Sequence, residues 1–285
     1  MKFSIITPSF RNSEWLKLCI ASVADQSGVE LEHIVQDSCS DDGTQDWLPH
    51  DPRVQAFIEK DGGMYDAVNR GFRRSRGDIL AYINCDEQYL PGALKKVTEY
   101  FGQHPDVDIV FADAVVINSD GSYICDRKAI IPQRAHTMVG GSMSFLTCST
   151  FLRRHVIMER GLFFNDTLRD LGDGDWAVKL IDNGLRMGIL REFTTAFTET
   201  GTNMNLLPNA VREKKEFYQR APWWAQRFQP LVVAHFRLRR ALAGAYRTKP
   251  YEYAIYTNEH PQSRKTFRVK NPTFRWKRPL QQPQK

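Results

Sequence analysis

The stretch LEHIVQDSCSDDGT, residues 31–44, joins an apolar run of strand length to an acidic residue, Asp37, and then to a turn. The run over Leu31–Gln36 predicts a buried strand, and the Asp-Asp-Gly sequence within Ser40–Gly43 is typical of a tight turn. A strand that ends on a charged residue delivers that side chain to the edge of a sheet. The same arrangement recurs on both sides of this stretch and decides the fold.

Strands and helices alternate through the first hundred residues. Further strands are predicted at 3–6, 54–59 and 79–84, and helices after Ser13, at 64–74 and at 91–101, where Pro91 lies in the first turn. We expect Ser13 to cap the first helix. Because strand–helix–strand units pair their strands in parallel, the alternation predicts an α/β fold with a mostly parallel sheet and helices on both faces.

The second half of the chain changes this rhythm. A long strand over 107–117, a hairpin turn at 118–121 and a returning strand at 122–126 predict a mixed sheet, followed by a helix over 175–182 and a strand over 187–193. The pattern is helical from 205 to about Tyr246 and then aromatic, proline-rich and basic. We therefore predict an α/β domain at 1–205 and a helical, aromatic and basic C-terminal extension at 206–285.

Composition narrows the class of protein. The chain has 285 residues, of which 42% are hydrophobic and 25% charged, as expected for a globular domain with an appendage. Five widely spaced cysteines without a CxxC pair argue against a zinc site and a disulfide framework and favour a reducing compartment. Neither a signal-peptide pattern nor an apolar run of about 18 residues is found, so we expect a cytoplasmic protein.

Polar residues follow the first four predicted strands, at the point where each strand ends. Thr7 ends the first, Asp37 the second, Asp61 follows the third, and Asn84 and Asp86 end the fourth. Ligands of open parallel sheets bind beyond the carboxyl ends of the strands, and carboxylates gathered there suit Mg²⁺ or Mn²⁺ with a phosphate-containing ligand. The alternative for any single aspartate is a turn former or a helix cap.

Four segments resemble, in order and spacing, the motifs of the family 2 glycosyltransferases with the GT-A fold. They are 5–12 (IITPSFRN), 32–44 (EHIVQDSCSDDGT), 61–71 (DGGMYDAVNRG) and 77–94, which begins GDILAYINCDE. The resemblance implies a GT-A fold and a metal-dependent, inverting transfer of a sugar from a nucleotide-diphosphate sugar to an acceptor hydroxyl. It also implies a role in polysaccharide or glycolipid synthesis, with a UDP-sugar as the favoured donor.

The same resemblance assigns donor-binding residues. It implies that Thr7, Pro8 and Phe10 line the pocket of the nucleotide base, that Asp37 hydrogen-bonds the base or the ribose, and that Asp61 lies against the edge of a uracil-like base.

The helix over 64–74 adds two further donor-binding candidates. Asp66 and Asn69 share one of its faces with Tyr65, near Asp61, and this spacing presents them to the sugar or its diphosphate. The alternative is that Tyr65 belongs to the core and that Asn69 is a polar residue that packs the helix.

The metal segment differs from the family's Asp-x-Asp motif, since the chain has Asn84-Cys85-Asp86. The resemblance implies that Asp86 binds Mg²⁺ or Mn²⁺ directly and that Asn84 contacts the ribose.

The resemblance also implies a general base at the start of a later helix, and the segment 170–176 (DLGDGDW) has the right place. Asp175 matches the family's acid–aromatic pair with Trp176, so we predict Asp175 as the base, with Asp173 as the rival or as a cap of the helix. The segment 147–151 resembles an acceptor-side strand. Acceptor-side residues are then Ser149, Thr150, Asp173 and Trp176.

The C-terminal extension mixes Trp223, Trp224, aliphatic residues and arginines as a helix at a membrane interface does. The alternative is a helix packed on the catalytic domain with its arginines in solvent. The formal charge of +6 arises from this basic tail, which closes with Lys277 and Arg278. We expect as partners a glycan or lipid-linked acceptor and an anionic membrane surface on the inner face of the cell membrane, and no nucleic acid.

Two other functions compete with glycosyl transfer. A nucleotidyltransferase that makes a sugar nucleotide would need a glycine-rich, basic phosphate loop after the first strand, and residues 7–12 lack one. A non-catalytic protein on the same scaffold would bind glycan or nucleic acid through the aromatic and basic tail. A transfer assay distinguishes these classes.

Overall fold

The computed structural model describes residues 1–140, 143–200 and 208–276. The strands are β1 (Lys2–Ser9), β2 (Glu30–Asp37), β3 (Gln55–Ile58), β4 (Ile79–Tyr82), β5 (Gln88–Tyr89), β6 (Ile109–Asn118), β7 (Tyr123–Arg127), β8 (Thr150–Arg153), β9 (Met187–Glu199), β10 (Tyr251–Thr257) and β11 (His260–Val269). The α-helices are α1 (Ser13–Ala24), α2 (Thr44–Trp47), α3 (Met64–Arg74), α4 (Ala93–Gln103), α5 (Arg134–Val139), α6 (Arg154–Met158), α7 (Gly172–Asp182), α8 (Pro208–Gln219), α9 (Trp223–Arg227) and α10 (Gln229–Leu242).

A large mixed sheet forms the centre of the molecule. Its strands run in the order β3-β2-β1-β4-β8-β6-β9-β5, and β7 pairs with β6. The pairs β1–β2, β1–β4, β2–β3 and β6–β9 are parallel, whereas β8 is antiparallel to both of its neighbours. The predicted α/β fold with a mostly parallel, mixed sheet is confirmed.

Helices cover both faces of this sheet, because the apolar residues of its central strands alternate. On β1, Ile5 packs with residues of α1 and α4, whereas Ile6 packs with residues of α3 and α7. On β4, Ala81 and Tyr82 divide in the same way. Successive side chains of a strand point to opposite faces, so each buried strand contributes to two cores. The carboxyl ends of β1, β2, β3 and β4 consequently lie along one rim.

Several details of the elements differ from the prediction. Ser13 does not cap α1; its hydroxyl accepts a hydrogen bond from Trp47 Nε1 at 2.9 Å, and its backbone N–H donates to Asp42 Oδ2 at 2.8 Å. Strand β9 continues to Glu199, six residues beyond the predicted end, because its threonine-rich half pairs with both β6 and β5.

The C-terminal extension is not helical throughout. Strands β10 and β11 form an antiparallel hairpin whose Tyr253, Ile255 and Val269 pack with Leu90 and Ile117 of the α/β domain. The predicted boundary between 205 and 206 lies outside the described residues, as do Lys277 and Arg278 of the basic tail. In the part of the chain that the structure describes, no helix has the length and apolar content required to cross a membrane.

Candidate active site

The loops that follow β2 and β3 are held together by their own aspartates. Asp37, fully buried, accepts hydrogen bonds from the backbone N–H of Ser40 at 2.8 Å and from its hydroxyl at 2.7 Å. Asp61 accepts one from the N–H of Gly63 at 2.9 Å, and its own N–H donates to Ser38 Oγ at 3.4 Å. Both aspartates therefore shape the rim at which they were predicted to bind the donor.

The residues at the end of β1 divide between the core and the surface. Thr7 is buried, and its hydroxyl lies 2.9 Å from His33 Nε2, a ring whose pKa burial lowers to about 3. Pro8 is buried as well. Phe10, in contrast, is 51% exposed, and the guanidinium of Arg11 lies 5.0 Å from its ring centre. Of the three predicted base-pocket residues, Phe10 alone presents its side chain for stacking.

On α3, the two donor-binding candidates have different surroundings. Asp66 accepts a hydrogen bond from the N–H of Gly62 at 2.8 Å and forms an ion pair with Arg70 at 2.8 Å. Asn69 is buried and makes two 3.0 Å hydrogen bonds to the backbone of Phe164, donating to its carbonyl and accepting from its N–H. Asn69 thus fastens α3 to the segment before α7, and Asp66 lies at the rim.

The metal segment places carboxyl groups in a desolvated position. Glu87 is buried, and its Oε2 accepts a hydrogen bond from the N–H of Asn84 at 2.8 Å. Burial raises the pKa of Asp86 above its ordinary value. Burial also raises the pKa of Glu87, and the negative charges of Asp86 and Asp173 raise it further. The carboxylates of the loop between β4 and β5 and that of Asp173 on α7 therefore repel one another.

A divalent cation would relieve this repulsion, so the donor set fits such an ion. Asp86 offers a carboxylate and Asn84 an amide oxygen, both of which Mg²⁺ and Mn²⁺ accept. Among the described residues, no group of three His, Cys, Asp or Glu side chains is arranged to hold a metal. The protein side chains would then supply only part of the coordination shell, and a donor diphosphate would supply oxygen ligands as well.

The two aspartates of α7 face different surroundings. Tyr82 OH donates a hydrogen bond to Asp173 Oδ1 at 3.1 Å, and the N–H of Asp173 donates to Tyr65 OH at 3.1 Å. Burial raises the pKa of Asp173, and its interactions with Tyr82, Tyr65 and Thr147 oppose this rise. Asp173 does not act as a helix cap, since α7 begins at Gly172.

Asp175 instead forms an ion pair with Arg220 of the C-terminal extension, whose NH1 lies 2.9 Å from Asp175 Oδ1. Two residues along a helix correspond to a rotation of about 200°, so Asp173 and Asp175 cannot share a face. Asp173 faces the sheet rim with Glu87, and Asp175 faces α8.

The remaining acceptor-side candidates are buried. Ser149 Oγ lies 2.6 Å from Thr195 Oγ1, and Thr150 Oγ1 donates to the carbonyl of Leu146 at 3.0 Å. Trp176 is 1% exposed and donates from Nε1 to the carbonyl of Leu162 at 2.7 Å. These contacts give Ser149, Thr150 and Trp176 packing roles, and their contact with an acceptor stays a prediction.

A carboxylate that the sequence analysis did not single out holds the start of α7. Glu213 of α8 accepts hydrogen bonds from three successive backbone N–H groups, those of Arg169 at 2.9 Å, Asp170 at 3.0 Å and Leu171 at 2.9 Å. Glu213 is buried despite its charge. In the sequence Glu213 stands in a run of charged residues, 212–216 (REKKE), and no local motif distinguishes it from its neighbours.

An arginine also lies unpredicted at the rim. The Arg169 guanidinium covers Gly63, and its Cζ is 3.3 Å from the position that a Cβ would take there. Gly63 has φ +125°, a conformation that favours glycine. Arg169 forms no ion pair with the residues that the structure describes, whereas nearby Arg70 pairs with Asp66. A guanidinium without an ion-pair partner among the described residues therefore lies over Gly63.

Comparisons with known proteins agree with this architecture. The model of the family described as glycosyl transferase family 2 matches residues 4–162, more than half of the chain. A PGL/p-HBAD biosynthesis glycosyltransferase of Mycobacterium tuberculosis is 25% identical over 236 residues, which cover 77% of this chain and 84% of the relative. A putative teichuronic acid biosynthesis glycosyltransferase of Bacillus subtilis, TuaG, is 32% identical over 102 residues, covering 34% of this chain and 40% of the relative.

Solved structures share the fold. Staphylococcus aureus TarS 1–349 in complex with UDP-GlcNAc superposes with a TM-score of 0.62 at 17% identity, covering 84% of this chain and 72% of that chain. The mannosyltransferase PcManGT from Pyrobaculum calidifontis, in complex with GDP-Man and Mn²⁺, has a TM-score of 0.54 at 16% identity, covering 86% of this chain and 76% of that chain.

Proposed function

Because this chain belongs to glycosyl transferase family 2, we propose that it transfers a sugar from a nucleotide-diphosphate sugar to an acceptor hydroxyl, with inversion at the anomeric carbon. The observation that supports this most directly is the rim between β4 and α7. There burial raises the pKa of Glu87, the charges of Asp86 and Asp173 raise it further, and Tyr82 OH donates a hydrogen bond to Asp173 at 3.1 Å. Such an arrangement suits a reaction in which a cation binds and a proton is removed.

For the metal, we propose Asp86 as the direct ligand, with Asn84 and Glu87 beside it. A bound Mg²⁺ or Mn²⁺ would neutralise the charge that develops on the leaving diphosphate. The hydrogen bond from the N–H of Asn84 to Glu87 fixes the turn that aims Asp86, which makes Glu87 a positioning residue for the ligand.

As the general base we propose Asp173 and not Asp175. A base needs a carboxylate at the rim with an elevated pKa, because a raised pKa makes it a better proton acceptor at neutral pH. Burial raises the pKa of Asp173, and the hydroxyl of Tyr82 orients one of its oxygens. Asp175, in contrast, forms an ion pair with Arg220. In this mechanism Asp173 takes the proton of the acceptor hydroxyl while the oxygen of that hydroxyl attacks the anomeric carbon, and the bond from this carbon to the diphosphate breaks so that the nucleoside diphosphate leaves.

The donor is proposed to lie along the strand ends. Phe10 stacks on the base, and Asp37 and Asp61 hydrogen-bond the nucleoside or hold the loops that do so. Arg169, which has no acidic partner among the described residues, would bind the diphosphate, since a guanidinium offers two parallel N–H groups to phosphate oxygens.

For partners we propose a UDP-sugar donor, a glycan or lipid-linked acceptor and the anionic inner face of the cell membrane. Support comes from the fold shared with TarS, which binds UDP-GlcNAc, and from similarity to the M. tuberculosis PGL/p-HBAD biosynthesis glycosyltransferase. Polysaccharide or glycolipid synthesis is the corresponding process, at the cytoplasmic side of the membrane.

A thermal-shift screen of UDP-, GDP- and dTDP-sugars, with and without Mn²⁺, tests the donor and the metal. A ligand at about 100 times its Kd stabilises the native state by about 2.7 kcal/mol, which raises Tm by roughly 5–10 °C. We expect one base to give such a shift and Mn²⁺ to enlarge it. Asp86→Asn should abolish the enlargement, with Asp78→Asn as the control. No shift with any nucleotide sugar would contradict the proposal.

A further inference from the structure

The helices α9 and α10 expose an unusual share of the apolar surface. Six of the ten large apolar side chains that the described part of the chain exposes lie on these helices or between them. We call them the α9–α10 apolar face: Trp223, Trp224, Phe228, Leu231, Leu238 and Leu242. Trp223 is 75% exposed and Leu242 80%. A patch of this kind marks an interaction surface.

Helix α10 has two apolar sides: one packs on the rest of the protein, and the other belongs to the exposed α9–α10 apolar face. Leu231, Leu238 and Leu242 are seven and four residues apart, so they form one stripe along α10. Val232 and Phe236 lie on another side of the helix and are buried. Val232 packs with residues of α5, α7 and α8. Attachment of α10 to the protein therefore accounts for its buried residues and leaves the leucine stripe unexplained.

The charge around this face is strongly positive. Residues 208–249 contain ten lysines and arginines and two glutamates, a formal charge of +8 that exceeds the +6 of the whole chain. Arg227 and Arg237 are exposed on the same two helices. The buried Glu213 accepts backbone hydrogen bonds, and Glu216 lies on α8. Exposed tryptophan and leucine interspersed with arginine match the boundary between headgroups and acyl chains of an anionic bilayer.

Other occupants fit this combination less well. A second copy of the chain would bring two segments of charge +8 together, and that repulsion opposes self-association. Nucleic acid would satisfy the arginines but would leave the three leucines in water. Only an anionic lipid surface complements both the apolar stripe and the cations.

The location of the face connects it with the site. Met138 and Val139 of α5, Val178 of α7, and Phe217 and Val232 of the extension form one apolar cluster. Helix α7 begins at Gly172 and carries Asp173, so a single packed layer separates α10 from the helix that holds the proposed base.

We propose that the α9–α10 apolar face docks on an anionic membrane surface and so brings the acceptor side of the site close to lipid-linked substrates. Docking itself is independent of catalysis, whereas delivery of a lipid-linked acceptor rests on the proposed glycosyl transfer. The aromatic side chains enter the headgroup region, and the arginines pair with lipid phosphates.

Vesicle co-sedimentation of the full chain tests this surface. Vesicles of phosphatidylcholine alone are compared with vesicles that also contain phosphatidylglycerol. We expect binding to the anionic vesicles only, weakened by salt. Replacing both indoles, by Trp223→Ser with Trp224→Ser, should weaken binding at least about tenfold, because it removes a large apolar area from the contact. Val211→Ser, which removes an exposed apolar side chain of α8, is the matched control and should leave binding unchanged.

A second pair of variants separates charge from apolar contact. Arg227→Gln with Arg237→Gln should weaken binding to anionic vesicles and reduce its salt dependence, because two of the ten cations of this segment are removed. Absence of binding to anionic vesicles, or equal binding by the tryptophan variant, would overturn the proposal. So would a dimer that the tryptophan variant converts to monomer without any vesicle binding, since the face would then be a self-interface. The thermal shift with a nucleotide sugar, measured on each variant, reports separately on the proposed function and on folding.

Discussion

Replacing Asp173 and Asp175 one at a time by asparagine separates the two candidate bases. Asp173→Asn keeps an oxygen that can accept the hydrogen bond of Tyr82 but removes the proton acceptor, so the shape of the site is preserved. General-base catalysis contributes about 10²–10⁴-fold, and we expect kcat to fall by that factor. KM for the donor should change little, because the nucleoside and diphosphate contacts lie on other elements.

Asp175→Asn removes one ion pair, that with Arg220, whose side chain is 59% exposed. An ion pair with an exposed partner contributes about 0–1 kcal/mol to the free energy of unfolding. We therefore expect kcat of this variant to remain within a few-fold of the unmodified protein and Tm to fall slightly.

The thermal stability of the two variants provides a second way to distinguish Asp173 from Asp175. Burial raises the pKa of Asp173, so the folded state binds this proton more tightly than the unfolded state does. The folded protein consequently loses stability as pH rises above the unfolded pKa of about 3.9. Asparagine does not titrate and carries no such cost, so Asp173→Asn should be strongly reduced in kcat but at least as thermostable as the unmodified protein at neutral pH.

The assay is UDP release from the UDP-sugar that gives the largest thermal shift, measured with acceptor and, as background, with water. The acidic limb of the pH–rate profile should follow the raised pKa of Asp173, with activity increasing as the carboxyl loses its proton. That limb should disappear in the residual activity of Asp173→Asn. A fully active Asp173→Asn together with an inactive Asp175→Asn would refute the assignment.

Further variants test the supports of the site. Arg169→Ala should weaken UDP binding about 5- to 20-fold in calorimetry, the loss of a partly exposed charged hydrogen bond, and leave uridine binding unchanged. Arg73→Ala, an exposed arginine of α3, is the control, and equal loss for uridine would contradict a diphosphate contact. Glu213→Ala should lower the free energy of unfolding by about 2–3 kcal/mol in urea titrations, because three N–H groups lose their acceptor, while Glu216→Ala should change it by less than about 0.5 kcal/mol. Gly172→Ala should lower Tm, since a Cβ there would come within 2.7 Å of Tyr65 Cδ2.

The sheet could be predicted from sequence because its strands are short apolar runs that end on polar residues. Periodicity identified the runs, and the alternating helices fixed the parallel pairing of β1, β2 and β4. The sequence pattern does not predict the hairpin of β10 and β11, although the buried or half-buried Tyr251, Tyr253 and Ile255 alternate with period two. The hairpin lies in a basic and proline-rich part of the chain, in which strands are not expected. Its alternating residues form a strand because they pack against Leu90 and Ile117, a contact that the local sequence does not contain.

The sequence predicts which residues lie at the strand ends. It does not predict the direction in which their side chains point. The sequence leaves Asn69 either as a donor-binding residue or as a polar residue that packs the helix, and its amide hydrogen bonds to the backbone of Phe164, 95 residues away, favour packing. No local pattern encodes such a contact. The sequence favours Asp175 as the base, because it stands beside Trp176, and keeps Asp173 as the rival. The preference for Asp173 comes only from the rotation of α7, which turns Asp173 towards Tyr65 and Tyr82.

The C-terminal extension contacts α7 and the segment before it, which connects the extension with the proposed site. Glu213 accepts hydrogen bonds from the three N–H groups just before α7, and Arg220 pairs with Asp175 on a side of α7 different from that of Asp173. At the other end, the amide of Gln88, next to Glu87, makes two 2.9 Å hydrogen bonds to the backbone of Tyr256 in β10. The extension thus contacts both carboxylate-bearing segments, and the apolar cluster of Val178, Phe217 and Val232 joins α7, α8 and α10, so substitutions in the extension are expected to change the proposed site without any contact to the substrate.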